Sequence, residues 1–391
     1  MGEAAEMAEN CSKRVTLALD KETESDVFTL MKAWGILFVV AGHTMIPSIH
    51  DFVYLFHLAV FYFIAGYFFK DKYTGEKWNY FLKRVKRLWL PLAGYGVVFL
   101  LLHNLFFRLH IYSPEYDHLY TAPDYLLGIR SLLTLNTYAG NLLGALWFIQ
   151  SLFFVSLLFL GCLWLAQKIS TKHSEIVFAS LIVLLTILSH SVLYGRITAV
   201  SNLLGNIVER DFAILPILYA GRLCRRWREH IPLHWAWLLV TFGVLVFAQL
   251  AGIKLFIGGI RHTPLAQLPL LYLVSLTGCY CTLLLSFLSL RIGKRNFLFT
   301  IGKYTLEIMA LHFLAFKIVS LIQIGVYGYD IERLADFPVI SERIALWAIP
   351  YVLAGVLLPL GWVWLREQGL RIWRTHRPSF AGIDDRDHRT Q

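Results

Sequence analysis

Two ionisable side chains interrupt an otherwise apolar stretch near the start of this sequence. Residues 30–45 read LMKAWGILFVVAGHTM, and Lys32 and His43 are the ionisable members of that stretch. Eleven steps of about 100° return a helix to within about 20° of its starting direction, after a rise of about 16 Å. The two side chains therefore share one helical face. Ionisable groups inside membrane helices are costly and generally mark a functional site.

The composition of the whole chain is typical of an integral membrane protein. Its 391 residues are 57% hydrophobic and 16% charged, with a mean hydropathy of +0.58, whereas soluble domains contain about 25% charged residues. The net charge of +10 comes from short basic clusters between apolar runs. This pattern indicates positive-inside topology rather than a nucleic-acid-binding surface. No cysteine spacing resembles a disulfide framework or a zinc site, so no metal is expected.

Ten apolar segments have a length that suits a bilayer span, which takes about 20 residues. They are Val27–Pro47, Phe52–Phe69, Leu88–Phe107, Leu142–Ala166, Ile176–Tyr194, Asn202–Gly221, Leu233–Ile253, Leu265–Leu290, Phe297–Leu321 and Ile344–Leu365. Dense Lys and Arg clusters fall in every second connection, at Lys70–Arg87, Gln167–His173, Arg222–Arg228 and Arg291–Arg295, and in the tail after Leu365. This alternation predicts that both termini are cytoplasmic. We therefore expect an all-α, polytopic membrane protein. Its parts are a cytoplasmic tail over residues 1–26, a ten-helix membrane domain over 27–365 and a basic cytoplasmic tail over 366–391.

This topology places several polar side chains at a similar depth toward the outer face. His43 lies about 24 Å along the first span, and His312 lies about 22 Å along the ninth. The same layer is expected to hold His57, Trp147, Gln150, Glu209, Arg210 and Asp211. Lys32 lies far below them, near the cytoplasmic boundary.

Most of these side chains also have a purely structural explanation. An intramembrane histidine such as His57 can simply hydrogen-bond a neighbouring backbone group. Lys32 can extend its ammonium to the inner interface without binding a ligand. Glu307, in the ninth span, can pair with Lys303 or Lys317. The histidine of the first span is harder to explain in this way, because it shares a face with the lysine and follows a glycine that permits close approach.

Four stretches resemble motifs of the membrane acyltransferase-3 family. The first span resembles the family's opening helix, in which a basic residue precedes the histidine by eleven positions. The family's second-helix, fourth-helix and late-helix motifs are similar to FHLAVFYFIAGYFF (56–69), ALWFIQSLF (145–153) and IGKYTLEIMALHFLAFK (301–317). Lysine at position 32, where most members have arginine, resembles the fucose-4-O-acetylase-like branch. Ala65 and Glu307 depart from the family pattern, in which serine and an apolar or aromatic residue are common.

The resemblance implies an acetyl-coenzyme A-dependent O-acetyltransferase. The acyl group would pass from cytoplasmic acyl-coenzyme A to a hydroxyl of a cell-surface or lipid-linked saccharide, at the inner (plasma) membrane of a bacterium. His43 is the expected general base, and an acyl-histidine intermediate is the alternative chemistry. His57, His312 or the carboxylates of Glu209 and Asp211 are expected to orient His43. The phosphates of coenzyme A are expected at Lys32, Lys83, Arg84 and Arg87. The saccharide or the oxyanion is expected to meet Trp147, Gln150, Arg210, Lys317 and Glu307.

Two other functional classes fit the same composition. A proton-coupled transporter or flippase of a saccharide or lipid-linked intermediate would use His43 and Glu307 as a proton relay. The sequence contains no convincing internal repeat of the kind that transporters often show. A subunit of a polysaccharide export complex is the third class. Release of free thiol from a thioester distinguishes the enzyme from the carrier, because only the enzyme requires it.

Overall fold

The protein is described by a computed structural model over residues 16–133, 140–190, 206–290 and 297–375, and these ranges are mainly helical. The helices are α1 (Lys21–Gly42), α2 (Pro47–Tyr54), α3 (His57–Tyr67), α4 (Lys77–Arg84), α5 (Leu90–Leu101), α6 (His103–Arg108), α7 (Ala122–Leu133), α8 (Trp147–Ile169), α9 (Ser174–Leu188), α10 (Phe212–Arg226), α11 (Trp235–Leu250), α12 (Leu268–Ser289), α13 (Phe297–Lys303), α14 (Thr305–Tyr327) and α15 (Ile344–Thr375). Turns of π-helix precede α5 and α10, at Val85–Trp89 and Ile207–Asp211. Turns of 3-10 helix include Asn141–Leu146 and Ile257–His262. The expected all-α class is therefore observed in the described ranges.

Six of the helical segments in these ranges are long and apolar enough to cross a membrane. They are Lys21–Gly42, Pro47–Tyr67, Asn141–Ile169, Leu265–Ser289, Thr305–Tyr327 and Ile344–Trp373. Two more apolar helices, α9 and α11, are shorter. The start of the predicted sixth span and the predicted basic cluster at 291–295 lie outside the described residues. The helices that meet the length requirement are those of a multi-pass membrane protein.

Three of the predicted spans are interrupted. The second is divided at Leu55 and Phe56, between α2 and α3. The third, expected as Leu88–Phe107, comprises the end of a π-helical turn, the 12-residue α5 and the short α6, which are separated at Leu102. The ninth is divided at Tyr304, between α13 and α14. No proline or glycine occupies these break positions, so hydropathy and breaker residues do not locate them.

Helix α1 occupies a central position in the bundle. Asp20 caps its N-terminus by accepting the backbone N–H groups of Glu22 and Thr23, each at 3.0 Å. Such a cap stabilises a helix by about 1 kcal/mol. Helices α3, α12, α13, α14 and α15 all contact α1, which explains why its apolar residues are buried on most sides. The helix ends at Gly42, so that His43 is the first residue beyond it.

Two glycines allow α3 and α10 to pack very closely. A Cβ atom at Gly66 would lie 1.9 Å from the carbonyl oxygen of Leu218, and one at Gly221 would lie 2.1 Å from that of Phe63. Small residues commonly permit such backbone approach between membrane helices. This contact fixes α10, and the π-helical turn before it, against the helix that begins with His57.

Candidate active site

Two histidines from distant parts of the sequence form a hydrogen-bonded pair. Nε2 of His312, in α14, lies 3.2 Å from Nδ1 of His43. Nδ1 of His312 lies 3.0 Å from the carbonyl oxygens of both Ile308 and Met309. A carbonyl can only accept a hydrogen bond, so the proton of the neutral His312 ring resides on Nδ1 and its Nε2 is an acceptor. His43 then donates from Nδ1, and its Nε2 retains a free lone pair.

His43 lines a cavity of about 220 Å³, which we call the outer cavity. Its other lining residues are Val39, Tyr54, His57, Leu58, Ala145, Trp147, Phe148, Phe256, Gly258 and Met309. Nδ1 of His57 lies 2.9 Å from the carbonyl oxygen of Val53 and therefore donates to it. The ring of Tyr54 lies 4.6 Å from that of His57 and 6.2 Å from that of His43, centroid to centroid. Imidazole, phenol and indole groups thus meet within largely apolar walls.

A larger cavity of about 640 Å³ opens at the other end of the Lys32–His43 face, and we call it the inner cavity. Six cationic side chains line it: Lys32, Lys70, Lys83, Arg84, Arg87 and Lys303. Its remaining lining residues, all within the described ranges, include no Asp or Glu. Four of the six cations were predicted from the sequence, and Lys70 and Lys303 are additional. The cavity is therefore strongly electropositive.

The two cavities share part of their walls. Phe148 and Met309 line both of them. Lys32 lines the inner cavity and His43 lines the outer one. The predicted face of α1 therefore runs from one cavity to the other. We call the position of Phe148 and Met309 the junction, because it separates the cationic space from the histidine pair.

A buried arginine holds one edge of the inner cavity in place. Arg222 of α10 donates to both carboxylate oxygens of Asp71, at 3.0 and 3.1 Å, and to both of Glu175, at 2.7 and 2.9 Å. Lys70 and Tyr73, which line the cavity, are the neighbours of Asp71 at one and two positions along the sequence. Paired, bidentate contacts of this kind fix a geometry that a single charge pair does not. In the sequence, Arg222 is distinguished only as a member of the Arg222–Arg228 basic cluster.

Of the other predicted site residues, Trp147 lines the outer cavity, whereas Arg210, Gln150 and Lys317 lie elsewhere. Trp147 is part of its wall, and the Arg210 guanidinium lies 4.8 Å from the centre of the Trp147 ring. Gln150 is buried one turn further along α8. Lys317 is buried and donates to the carbonyl oxygen of Asp336 at 2.6 Å. Neither Arg210, Gln150 nor Lys317 is among the residues that line the two cavities.

The partner of Glu307 differs from the predicted one. Its carboxylate lies 3.3 Å from Nη2 of Arg366, whereas Lys303 and Lys317 were the structural partners that the sequence offered. The reason is the length of α15, which continues past the predicted end of the tenth span at Leu365 to Thr375. This extension carries Arg366 to a position beside α14.

Three further residues of the cavities were not found from the sequence. Tyr54 and Met309 each precede a predicted histidine by three positions, and Phe148 directly follows the predicted Trp147. Positions three apart lie on the same side of a helix, so Met309 could have been predicted from its spacing to His312. Tyr54 was not, because the break at residues 55 and 56 separates it from the helix of His57.

Comparison with known protein families matches residues 26–367 to the acyltransferase domain of the acyltransferase-3 family. The match covers most of the chain, and the protein therefore belongs to this family. Its activity is that of a membrane acyltransferase, as the motifs of the first, second, fourth and ninth spans had indicated. Comparisons with curated proteins and with solved structures give no match.

Proposed function

We propose that this protein is an O-acetyltransferase that moves an acetyl group from cytoplasmic acetyl-coenzyme A to a saccharide hydroxyl at the outer face of a bacterial inner membrane. The observation that carries the proposal is the shared wall at Phe148 and Met309. A cation-lined space on one side and a histidine pair on the other suit a donor that is anionic at one end and reactive at the other.

The inner cavity suits the phosphates of coenzyme A. Guanidinium groups bind phosphate oxygens through paired N–H donors, and ammonium groups act as point charges. Arg84 and Arg87 supply the first kind and Lys32, Lys83 and Lys303 the second. The pantetheine arm then extends along α1 and brings the thioester past the junction.

His43 is the general base in this proposal. Its Nε2 takes the proton of the acceptor hydroxyl while that oxygen forms a bond to the thioester carbonyl carbon. When the tetrahedral adduct collapses, the carbon–sulfur bond breaks, and the coenzyme A thiolate takes the proton from Nε2 of His43. The products are the acetyl ester and the free thiol, and His43 returns to its starting state. An acyl-histidine intermediate is the alternative route through the same nitrogen.

His312 and Tyr54 have separate roles in this reaction. His312 keeps the Nδ1 proton of His43 engaged, which leaves Nε2 as the basic nitrogen and supports the imidazolium that forms. Preorganised neutral donors stabilise the oxyanion of acyl transfer. Tyr54 lines the outer cavity, and we assign its hydroxyl that function in place of Lys317 and Arg210. Sugar rings stack readily on indole, which suits Trp147 to the acceptor.

The proposed membrane topology has ten spans and two cytoplasmic termini. The helices α5, α9, α10 and α11 would cross in addition to the six long segments. The support is electrostatic: the Lys70–Arg87 cluster borders the inner cavity, and positive residues concentrate on the cytoplasmic side. The acyl donor is also made on that side.

The direct test is release of free thiol from acetyl-coenzyme A by the full-length protein purified in detergent. Para-nitrophenyl pyranosides and candidate oligosaccharides serve as acceptors. We expect thiol release that depends on the acceptor and is lost in His43→Ala. His173→Ala, which removes an exposed imidazole away from both cavities, is the matched control. Release that persists in His43→Ala would move the base to His57 or His312, and absence of both release and coenzyme A binding would favour the carrier.

A further inference from the structure

A chain of four buried or half-buried polar groups leads from the bundle core to the wall of the outer cavity. The hydroxyl of Tyr62, in α3, donates to Oγ of Ser151, in α8, at 2.7 Å. Ser151 donates to Oδ1 of Asp211 at 2.6 Å, and Nε of Arg210 donates to the same oxygen at 2.9 Å. Asp211 is fully buried and the Arg210 side chain is 13% exposed. The charge pair thus belongs to the protein interior.

This series of polar groups ends at the Trp147 ring. The guanidinium of Arg210 lies 4.8 Å from the centre of the Trp147 ring, within the range of a cation–π contact. A Cβ atom added at Gly258 would lie 3.6 Å from Cζ2 of that ring. Trp147 and Gly258 both line the outer cavity. The indole is therefore in contact with the guanidinium and close to the Gly258 backbone, and its orientation sets the shape of the cavity.

The local backbone supports a role beyond packing. Glu209, Arg210 and Asp211 lie in a π-helical turn, Ile207–Asp211. Such turns are rare and occur frequently at functional sites. Replacing a buried ion pair by apolar residues is often neutral or stabilising, so stability alone is a weak reason for this pair. A requirement for a fixed Trp147 ring explains both the pair and the turn.

We propose that Asp211 is a positioning residue that orients Trp147 through Arg210 and thereby sets the affinity of the outer cavity for the saccharide acceptor. Asp211 orients the guanidinium, the guanidinium lies against the indole, and the indole forms the surface that the acceptor ring meets. The effect on acceptor affinity rests on the proposed function, whereas the orientation of Trp147 by Asp211 does not. Acetyl-coenzyme A binds on the other side of the junction, so we expect its affinity not to depend on Asp211, Arg210 or Trp147.

The first experiment reports on Trp147 without any substrate. The full-length protein is labelled with 5-fluorotryptophan, and the fluorine resonance of Trp147 is assigned by its loss in Trp147→Phe among the 12 tryptophans. Asp211→Asn should shift or broaden that resonance, because the guanidinium loses its charged partner. Glu24→Gln is the matched control: Glu24 is also buried, accepts from the Tyr67 hydroxyl at 2.6 Å and lies 3.4 Å from Arg228. It should leave the resonance unchanged.

The second experiment measures acceptor-dependent thiol release with para-nitrophenyl pyranosides. Asp211→Asn should raise KM for the acceptor about tenfold, the change that corresponds to 1.4 kcal/mol, with KM for acetyl-coenzyme A unchanged. Combining it with Trp147→Ala should add little, because groups that act in series are not additive. Ser151→Ala, which keeps the Arg210–Asp211 pair, should give a smaller change of the same kind and replaces Asp211→Asn if that variant does not fold.

Each result decides a separate statement. An unshifted Trp147 resonance in the folded Asp211→Asn protein would overturn the positioning role. A shifted resonance with an unchanged acceptor KM would overturn the link to the acceptor. Failure of the wild-type protein to release thiol with any acceptor would instead overturn the proposed function, and the resonance would still decide the positioning role.

Discussion

Nε2 of His312 accepts a hydrogen bond from Nδ1 of His43 at 3.2 Å, and the two rings are nearly parallel, with centroids 5.1 Å apart. In many hydrolytic sites a carboxylate orients the basic histidine. A neutral imidazole can perform the same orientation inside a membrane without burying an unpaired anion, which is costly there. The backbone carbonyls of Ile308 and Met309 fix the tautomer of His312, so the main chain of α14 determines which nitrogen of His43 is basic.

The first prediction concerns this histidine pair. His43→Ala should lower kcat by about 10²–10⁴-fold, the usual contribution of a general base. His312→Leu should lower kcat by about 100-fold through misplacement of the base, with KM for acetyl-coenzyme A unchanged. His312→Gln should retain more activity, because its amide oxygen can accept from Nδ1 of His43. Steady-state thiol release measures all three. Equal loss in the leucine and glutamine variants would contradict an orienting role for His312.

The second prediction concerns the donor site. Helix α4 carries two lysines: Lys83 lines the inner cavity, and Lys77 is exposed, with its ammonium over the Trp164 ring at 4.6 Å. Lys83→Ala should raise KM for acetyl-coenzyme A about threefold to tenfold, because it removes one charge-assisted phosphate contact. The kcat value should change little.

Lys77→Ala removes the same charge from the same helix and is the control. Its KM for acetyl-coenzyme A should match that of the wild-type protein. Added salt should weaken donor binding less in Lys83→Ala than in the wild-type protein, since screening acts on the charge that has been removed. Identical KM values in the two lysine variants would show that the inner cavity does not bind the donor phosphates.

The third prediction concerns the junction. Met309→Trp fills the space between the cavities, so it should prevent the thioester from reaching His43. We expect binding of coenzyme A, measured by isothermal titration calorimetry, to stay within about threefold of wild type, and thiol release to fall at least about 100-fold. Met309→Leu conserves the volume and should behave like the wild-type protein. Normal turnover in Met309→Trp would mean that the acyl group reaches the acceptor by another route.

The sequence was sufficient to predict the line from Lys32 to His43. A spacing of eleven residues puts both side chains on one face of a helix. The structure places them on two cavities that share a wall. Hydropathy also predicted that the chain is helical and spans the membrane several times. Both kinds of inference depend only on local periodicity and composition, which an isolated segment already contains.

The contacts between helices could not be predicted in the same way. His43 and His312 are separated by 269 residues, and nothing local in either span specifies that they meet rather than His43 and His57. Arg210, which was expected to meet the saccharide or the oxyanion, lies in a π-helical turn with its guanidinium over the Trp147 ring, a contact that the sequence did not predict. Lys303 and Lys317 were the possible structural partners of Glu307 in the sequence, whereas a longer α15 brings Arg366 to its carboxylate. Each of these outcomes depends on tertiary packing.

The last prediction concerns stability and the close contact between α3 and α10. Gly221→Ala places a Cβ 2.1 Å from the Phe63 carbonyl oxygen, which is backbone and cannot rotate away. The two helices must therefore separate, at a cost of at least about 1–3 kcal/mol. Gly243→Ala, in α11, adds a Cβ with nothing within 4 Å. It should be neutral or stabilising by about 0.5–1 kcal/mol, because glycine loses more conformational freedom than alanine when a helix forms.

Thermal unfolding in detergent, followed by circular dichroism, measures both glycine variants. Tm should fall in Gly221→Ala and stay constant or rise in Gly243→Ala. Because α10 directly follows the turn that holds Asp211, separation of α3 from α10 should also lengthen the path from Tyr62 through Ser151 to that carboxylate. The Gly221 variant should then show a raised KM for the acceptor at temperatures where it remains folded. A wild-type Tm in Gly221→Ala would contradict the close packing on which this arrangement depends.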